Sequence, residues 1–171
     1  MPDHPAGAKE LDRAQLCAEI VVHSQGWGEI EPLVQKCFDT VLNAKVDGVT
    51  PGAATVVLAD DALLRQLNRD FRGLDKPTNV LSFPAEETPA ELVTMGDIIL
   101  ARETCVAEAK AGGLSFDHHL THLIIHGLLH LAGFDHEAAA EAEIMEAEET
   151  RILAKLGIAD PYRPALETEN Q

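Results

Sequence analysis

From His118 to Leu131 the chain carries Leu120, Leu123, Ile124, Ile125, Leu128, Leu129 and Leu131, which on a helix occupy almost the full circumference. A helix that is apolar all round is a buried helix, so the fold has to enclose this segment. His118, His122, His126 and His130 recur along it at every fourth position. One buried histidine is ordinarily a core residue with a hydrogen-bond partner. Several in one buried helix need several partners, and each unpaired ring would cost about 1–3 kcal/mol. Gly133 then breaks the helix and lets the chain swing back to deliver His136, completing H-x-x-x-H-x-x-x-x-x-H from His126. Three convergent imidazoles with one coordination position left open describe a catalytic zinc site rather than a structural one. One metal per chain is therefore expected at His126, His130 and His136. All-imidazole ligation also suits copper, iron or nickel, and zinc is the expected occupant. His122, one turn before His126, is expected behind the ligands or in the core. His118 and His119, near the helix start, are expected to be exposed.

The three histidines and the glycine match the spacing of the metalloprotease pattern HExxHxxGxxH. The match fails at Gly127, where a metzincin carries its general-base glutamate. The segment is suited to hold a metal and a water, but not to cut peptides in the usual way.

A chain of 171 residues corresponds to one domain and is long enough to bury a core. Aromatic residues make up only 4%, so the core is expected to be aliphatic and no base-stacking platform is visible. No apolar run reaches the roughly 18 residues of a membrane span. The polar start, with Pro2, Pro5 and Gly7, lacks the apolar stretch of a signal peptide. Cys17, Cys37 and Cys105 are widely spaced and odd in number, which reads as free buried thiols in a reducing compartment, hence a cytoplasmic protein. Residues 1–15 are expected to form a flexible extension, 16–158 a single catalytic domain, and 159–171, with Pro161 and Pro164, a flexible tail.

The periodicities alternate. Strands are expected at Ala18–His23, Ala53–Ala59, Thr78–Phe83 and Asp97–Leu100. Helices are expected at Glu29–Lys45, from the cap Asp60 to about Phe71, at Arg102–Ala111, through the histidine segment, and at Ala138–Leu156 ending on Gly157. Residues 85–94 read as a loop. This order predicts an α/β or α+β layered domain: a small, mostly four-stranded sheet flanked by helices, with the histidine helix buried. The 73–78 segment and the loop before Asp97 are the expected functional rim.

A net charge of -16 disfavours non-specific binding to nucleic acid, whose affinity comes from released counterions. The charge is uneven. Glu137, Glu141, Glu143, Glu146, Glu148 and Glu149 crowd one late segment, expected to be the solvated face of a helix. Arg65, Arg69, Arg72 and Lys76 follow a helical face into a loop, a candidate path for an anionic substrate. Arg72 precedes a glycine between a helix and a strand, where it can face a cleft; a plain surface arginine is the alternative. A forked guanidinium there would stabilise charge building on phosphoryl oxygens. Asp97 can accept the second ring N–H of a ligand histidine or simply shape a strand start. Asp135, just before His136, is a further candidate behind the ligands or a turn former. Ser82 has no base beside it and is no nucleophile.

The histidine segment, Leu67 to Pro84 (LNRDFRGLDKPTNVLSFP) and Met95 to Ile98 (MGDI) together resemble the YbeY family of bacterial rRNA maturation factors. Three separate motifs occur in the family's order, and the resemblance spans about Ala53 to Leu156. It implies a zinc-dependent endoribonuclease acting on single-stranded RNA in maturation of the 16S rRNA 3′ end, with zinc at His126, His130 and His136 and a functional arginine at Arg72. It implies rRNA and the small ribosomal subunit or its assembly factors as partners, and no membrane. The chain departs from the pattern at Asn79, where many members carry Asp. Two other classes remain open: a metal hydrolase acting on peptide or amide bonds, which Gly127 argues against, and a non-catalytic zinc-stabilised module on the ribosome, which an open metal position argues against.

Overall fold

In the computed structural model, which describes residues 15–86 and 94–162, four strands form one mixed sheet in the order β1-β2-β4-β3. These are β1 (Leu16–Val22), β2 (Gly52–Ala59), β3 (Val80–Pro84) and β4 (Thr94–Ala101). β1 and β4 run parallel to β2, whereas β3 is antiparallel to β4 and lies at an edge. Five described helices accompany them: α1 (Glu31–Asn43), α2 (Asp61–Arg72), α3 (Arg102–Ala111), α4 (Phe116–Leu131) and α5 (Ala139–Lys155).

The two-residue period of a strand assigns the sheet's faces. Val56, Leu58, Ile98 and Leu100 point into a large core shared with α1, α4 and α5. Their neighbours Ala59, Ile99 and Ala101, with Val57, point to the opposite face, under Leu63, Leu64 and Leu67 of α2. α4 is buried over most of its circumference, with Leu120, Ile124, Ile125, Leu128 and Leu129 fully enclosed and its histidine side only partly covered. The expected layered fold and buried histidine helix are what the structure contains.

Element ends follow local chemistry. The Asp60 carboxylate accepts from the Leu63 N–H at 3.0 Å to start α2, and Gly73, with φ +72°, ends it in the left-handed region. Ser115 caps α4 by accepting from the His118 N–H at 3.0 Å. β4 begins three residues earlier than its apolar run suggests. Gly96, with φ +129°, carries the extra length: a Cβ there would lie 2.2 Å from the Phe83 carbonyl oxygen, so only glycine permits this approach to β3.

Cys37 and Cys105 are buried thiols, each pushed up to about 12 chiefly by burial. No described helix is long and apolar enough to cross a membrane. The expected extension 1–15 falls, but for Gln15, outside the described residues, as does most of the loop before Thr94. Within the expected tail, the described residues 159–162 make local hydrogen bonds: Tyr162 N–H and the Thr150 hydroxyl both donate to Asp160, at 2.8 and 3.2 Å.

Candidate metal centre

α4 presents His126 and His130 one turn apart at the mouth of a cleft. After Leu131 the helix closes through Phe134 N–H to the Leu129 carbonyl at 3.0 Å, with Gly133 at φ +109°. That turn brings His136 back. The ring centroids lie 4.7 Å apart for His126 and His130, 4.8 Å for His130 and His136, and 5.5 Å for His126 and His136. One ligating atom from each falls within 4.8 Å of the others, so this set can hold a metal ion.

The outer sides of the rings decide whether the set suits a cation. His130 Nδ1 lies 3.0 Å from the Phe134 carbonyl oxygen, which can only accept. His126 Nδ1 lies 2.5 Å from Glu149 Oε2. Both Nδ1 atoms must therefore carry the proton, which leaves the Nε2 lone pairs free, the arrangement that a ligating histidine needs. Burial, reinforced by His126 and His136, lowers the pKa of His130, favouring the neutral ring that binds a metal. The residues fit a divalent cation.

Glu149 corrects the expected solvated acidic face. It is fully buried, and its carboxylate accepts from His122 Nε2 at 2.8 Å, from His126 Nδ1 and from the Tyr162 hydroxyl. Burial pushes its pKa up, but the hydrogen bonds from His122 and His126 outweigh that and bring it down to about 2. A helical signal did mark it. Glu149 lies in register with the buried Met145, Ile152 and Leu153 along α5. His122 touches the ligand set through this carboxylate.

Asp97 does not. Ile98 packs against α4 at Gly127, so by strand alternation Asp97 points to the opposite face, where it is exposed. Asp135 does line the cleft, yet its carboxylate accepts from the His136 backbone N–H at 2.7 Å and shapes the turn rather than a ring. His118 is exposed as expected, but His119 is largely covered and bonds Glu108 through Nε2 at 2.9 Å.

The cleft, about 560 Å³, runs between α4 and edge strand β3. Arg72, Thr78, Asn79, Val80 and Ser82 form one wall, and His126, His130, Asp135, His136 and Glu137 the other. Arg72, the last residue of α2, thus shares a cavity with the histidines. Arg65 and Arg69 do not line it. Arg65 makes a two-point pair with Asp75, at 2.8 and 3.1 Å, and Arg69 lies 3.7 Å from the same carboxylate. Lys76 is exposed and outside the lining. The expected basic path is partly neutralised by an aspartate one residue before Lys76. Asn79 donates to Glu108 Oε1 at 2.9 Å, a contact that an aspartate in its place could not make with a second carboxylate.

Gly127 has a packing reason. A Cβ there would lie 3.0 Å from Ile98 Cγ2 and 3.1 Å from its Cγ1 and Cδ1. A side chain at 127 would start into the sheet, not into the cleft.

Comparison with known proteins places the whole fold. The family described as Endoribonuclease YbeY matches residues 21–157. A protein named Endoribonuclease YbeY from Azorhizobium caulinodans is 48% identical over 150 residues, covering 84% of this chain and 94% of its own. One of the same name from a Chelativorans species is 53% identical over 126 residues, covering 72% and 77%. The solution structure of TM1509 from Thermotoga maritima shares the fold, with a TM-score of 0.52 at 24% identity, over 85% of this chain and 99% of that one.

Proposed function

The chain belongs to the endoribonuclease YbeY family, and from that premise we propose that it is a zinc-dependent endoribonuclease of the cytoplasm. Its substrate is single-stranded RNA, its role is maturation of the 16S rRNA 3′ end, and its partners are the small ribosomal subunit or its assembly factors. The observation that carries this reading is the shared cleft, lined by a guanidinium from α2 and by three histidines, of which His126 and His130 have their Nε2 atoms free.

Zinc, when bound by His126, His130 and His136, supplies a Lewis acid and lowers the pKa of a coordinated water to about 7. Glu149 and the Phe134 carbonyl hold two of the rings in the ligating tautomer. Arg72 offers forked, permanently charged donors to the phosphoryl oxygens on which negative charge builds. Gly127 leaves the site without a protease-like carboxylate, so phosphodiester cleavage assisted by Arg72 is favoured over peptide cleavage. Asp135 and Glu137 keep the cleft from being broadly cationic, which suits a strand delivered by a partner better than one captured by charge alone. Lys76, Arg65 and Arg69 then act on affinity rather than on the chemical step.

The test is single-turnover cleavage of single-stranded RNA at saturating enzyme. Arg72→Ala should keep fold and metal while losing about 3–4 kcal/mol of transition-state stabilisation, and Arg72→Lys should recover little of it. Cleavage by Arg72→Ala at the unmodified rate would remove the arginine from the mechanism.

A further inference from the structure

Tyr162 sits in the C-terminal segment, 26 positions beyond the last ligand histidine, yet its hydroxyl reaches the carboxylate that holds His126. Glu149 Oε2 takes the His126 Nδ1–H, while Oε1 takes both the His122 ring and the Tyr162 hydroxyl. The His122 and Tyr162 rings stand edge to face at 5.5 Å. The tail is fastened there by its own bonds: Ile158 N–H to the Leu153 carbonyl at 3.0 Å, and Asp160 accepting from Thr150 and from the Tyr162 backbone. A carboxylate with no solvent access has to find every partner within the protein. Without the tail, Oε1 would keep only His122.

We propose that Tyr162, acting through Glu149 together with His122, is a positioning residue of the metal centre, so that the C-terminal segment forms part of the site that retains the ion. Glu149 can turn about its side-chain torsions, and a carboxylate displaced toward His122 would no longer fix the His126 ring. The Tyr162 hydroxyl, 3.2 Å from His122 Nε2, gives Oε1 a second donor beside that ring; with Oε1 held by both, Oε2 stays on Nδ1 and the His126 Nε2 lone pair stays aimed into the cleft. Partners of this kind fix ring orientation and raise ligand basicity, and losing one that contacts the ligand directly costs about 10–100-fold in metal affinity.

The inference rests on the three histidines holding a metal, and the experiment separates the two claims. Zn2+ affinity of the full chain is measured by competition with a chelator, at a temperature where each variant is folded by circular dichroism. Co2+-substituted protein reports ligand geometry through its visible spectrum. Glu149→Gln should weaken Zn2+ binding about 10–100-fold. Tyr162→Phe, which keeps the ring and removes one hydroxyl, should weaken it about threefold to tenfold, the equilibrium equivalent of one hydrogen bond. Both should alter the Co2+ spectrum. Glu148→Gln, which removes the adjacent carboxylate that pairs with Arg151, should do neither. Should Glu149→Gln fail to fold, Tyr162→Phe carries the test alone, since its ring is partly exposed and its loss is small. Unmodified chain that binds Zn2+ beside a Tyr162→Phe variant with unchanged affinity and spectrum would overturn this inference alone. An unmodified chain that takes up no Zn2+ would overturn the metal reading, and this inference with it.

Discussion

Gly127 offers the sharpest test of how the histidine helix is seated. In a helix interior alanine is better than glycine by about 1 kcal/mol, so a glycine without a purpose should be improved by Gly127→Ala. Here the added methyl would meet three atoms of Ile98 at 3.0–3.1 Å, against about 3.5–4.0 Å for a comfortable carbon contact. Ile98 is fully buried on β4, which is paired on both sides by β2 and β3, so neither the side chain nor the strand can retreat far. Overpacking of this kind costs about 1–3 kcal/mol. Subtracting the propensity gain leaves Gly127→Ala destabilised by about 0–2 kcal/mol. Ile98→Val removes one of the crowded atoms and should alone cost about 0.5–1.5 kcal/mol. The double variant should be less damaged than the sum of the two, by at least about 0.5 kcal/mol of coupling. Gly127→Glu adds a carboxylate with no partner on the sheet side and should cost several kcal/mol more. Equilibrium urea unfolding at pH 7, with slopes checked for constancy, measures all four. A Gly127→Ala chain stabilised by the full helical gain, with no coupling to Ile98→Val, would refute the packing argument. Chelator-sensitive peptide cleavage by Gly127→Glu would refute the further point that position 127 faces away from the cleft.

Other outcomes follow from the same geometry. His126→Ala with His130→Ala should abolish a near-unit metal content in purified protein, and equal metal in the double variant would end the three-histidine assignment. Metal-free protein should lose stability with acid in two stages. His130 and Glu149 both have folded pKa values below their ordinary ones, so each contribution is present above the ordinary value and lost as the pH falls through the folded one. The first loss begins below the ordinary histidine value of 6.5, and the second, of about 3 kcal/mol for Glu149, between 4.5 and about 2. Urea midpoints across pH should show the second stage flattened in Glu149→Gln, and an unchanged acid loss in that variant would count against the buried carboxylate. Asp75→Asn should free Arg65 and Arg69, tightening single-stranded RNA binding and steepening its salt dependence while leaving the single-turnover rate alone; weaker binding would mean that the Asp75 pairs hold these arginines in a useful pose.

Much of this molecule was legible because its signals are local. The all-round apolar pattern of 118–131 dictates a buried helix, and four-residue spacing with a glycine brake dictates that His126, His130 and His136 converge. The alternating strands and helices dictate the layers, since both periods arise within a few residues. The family motifs pointed to Arg72, and the fold puts it on the cleft. What the sequence could not decide were relations across the chain. Asp97 and Glu149 are both acidic residues of plausible spacing, but strand alternation turns one away from the histidines while α5 packing buries the other against them. Arg65 and Arg69 look like a basic path until Asp75, several residues on, folds back to pair with them. Tyr162 looks like tail until the chain reversal after Gly157 brings it to Glu149. A hydrogen bond spanning 13 to 27 residues depends on the angle at which two elements pack, and side chains from both elements set that angle together, so it exists only once the core has formed.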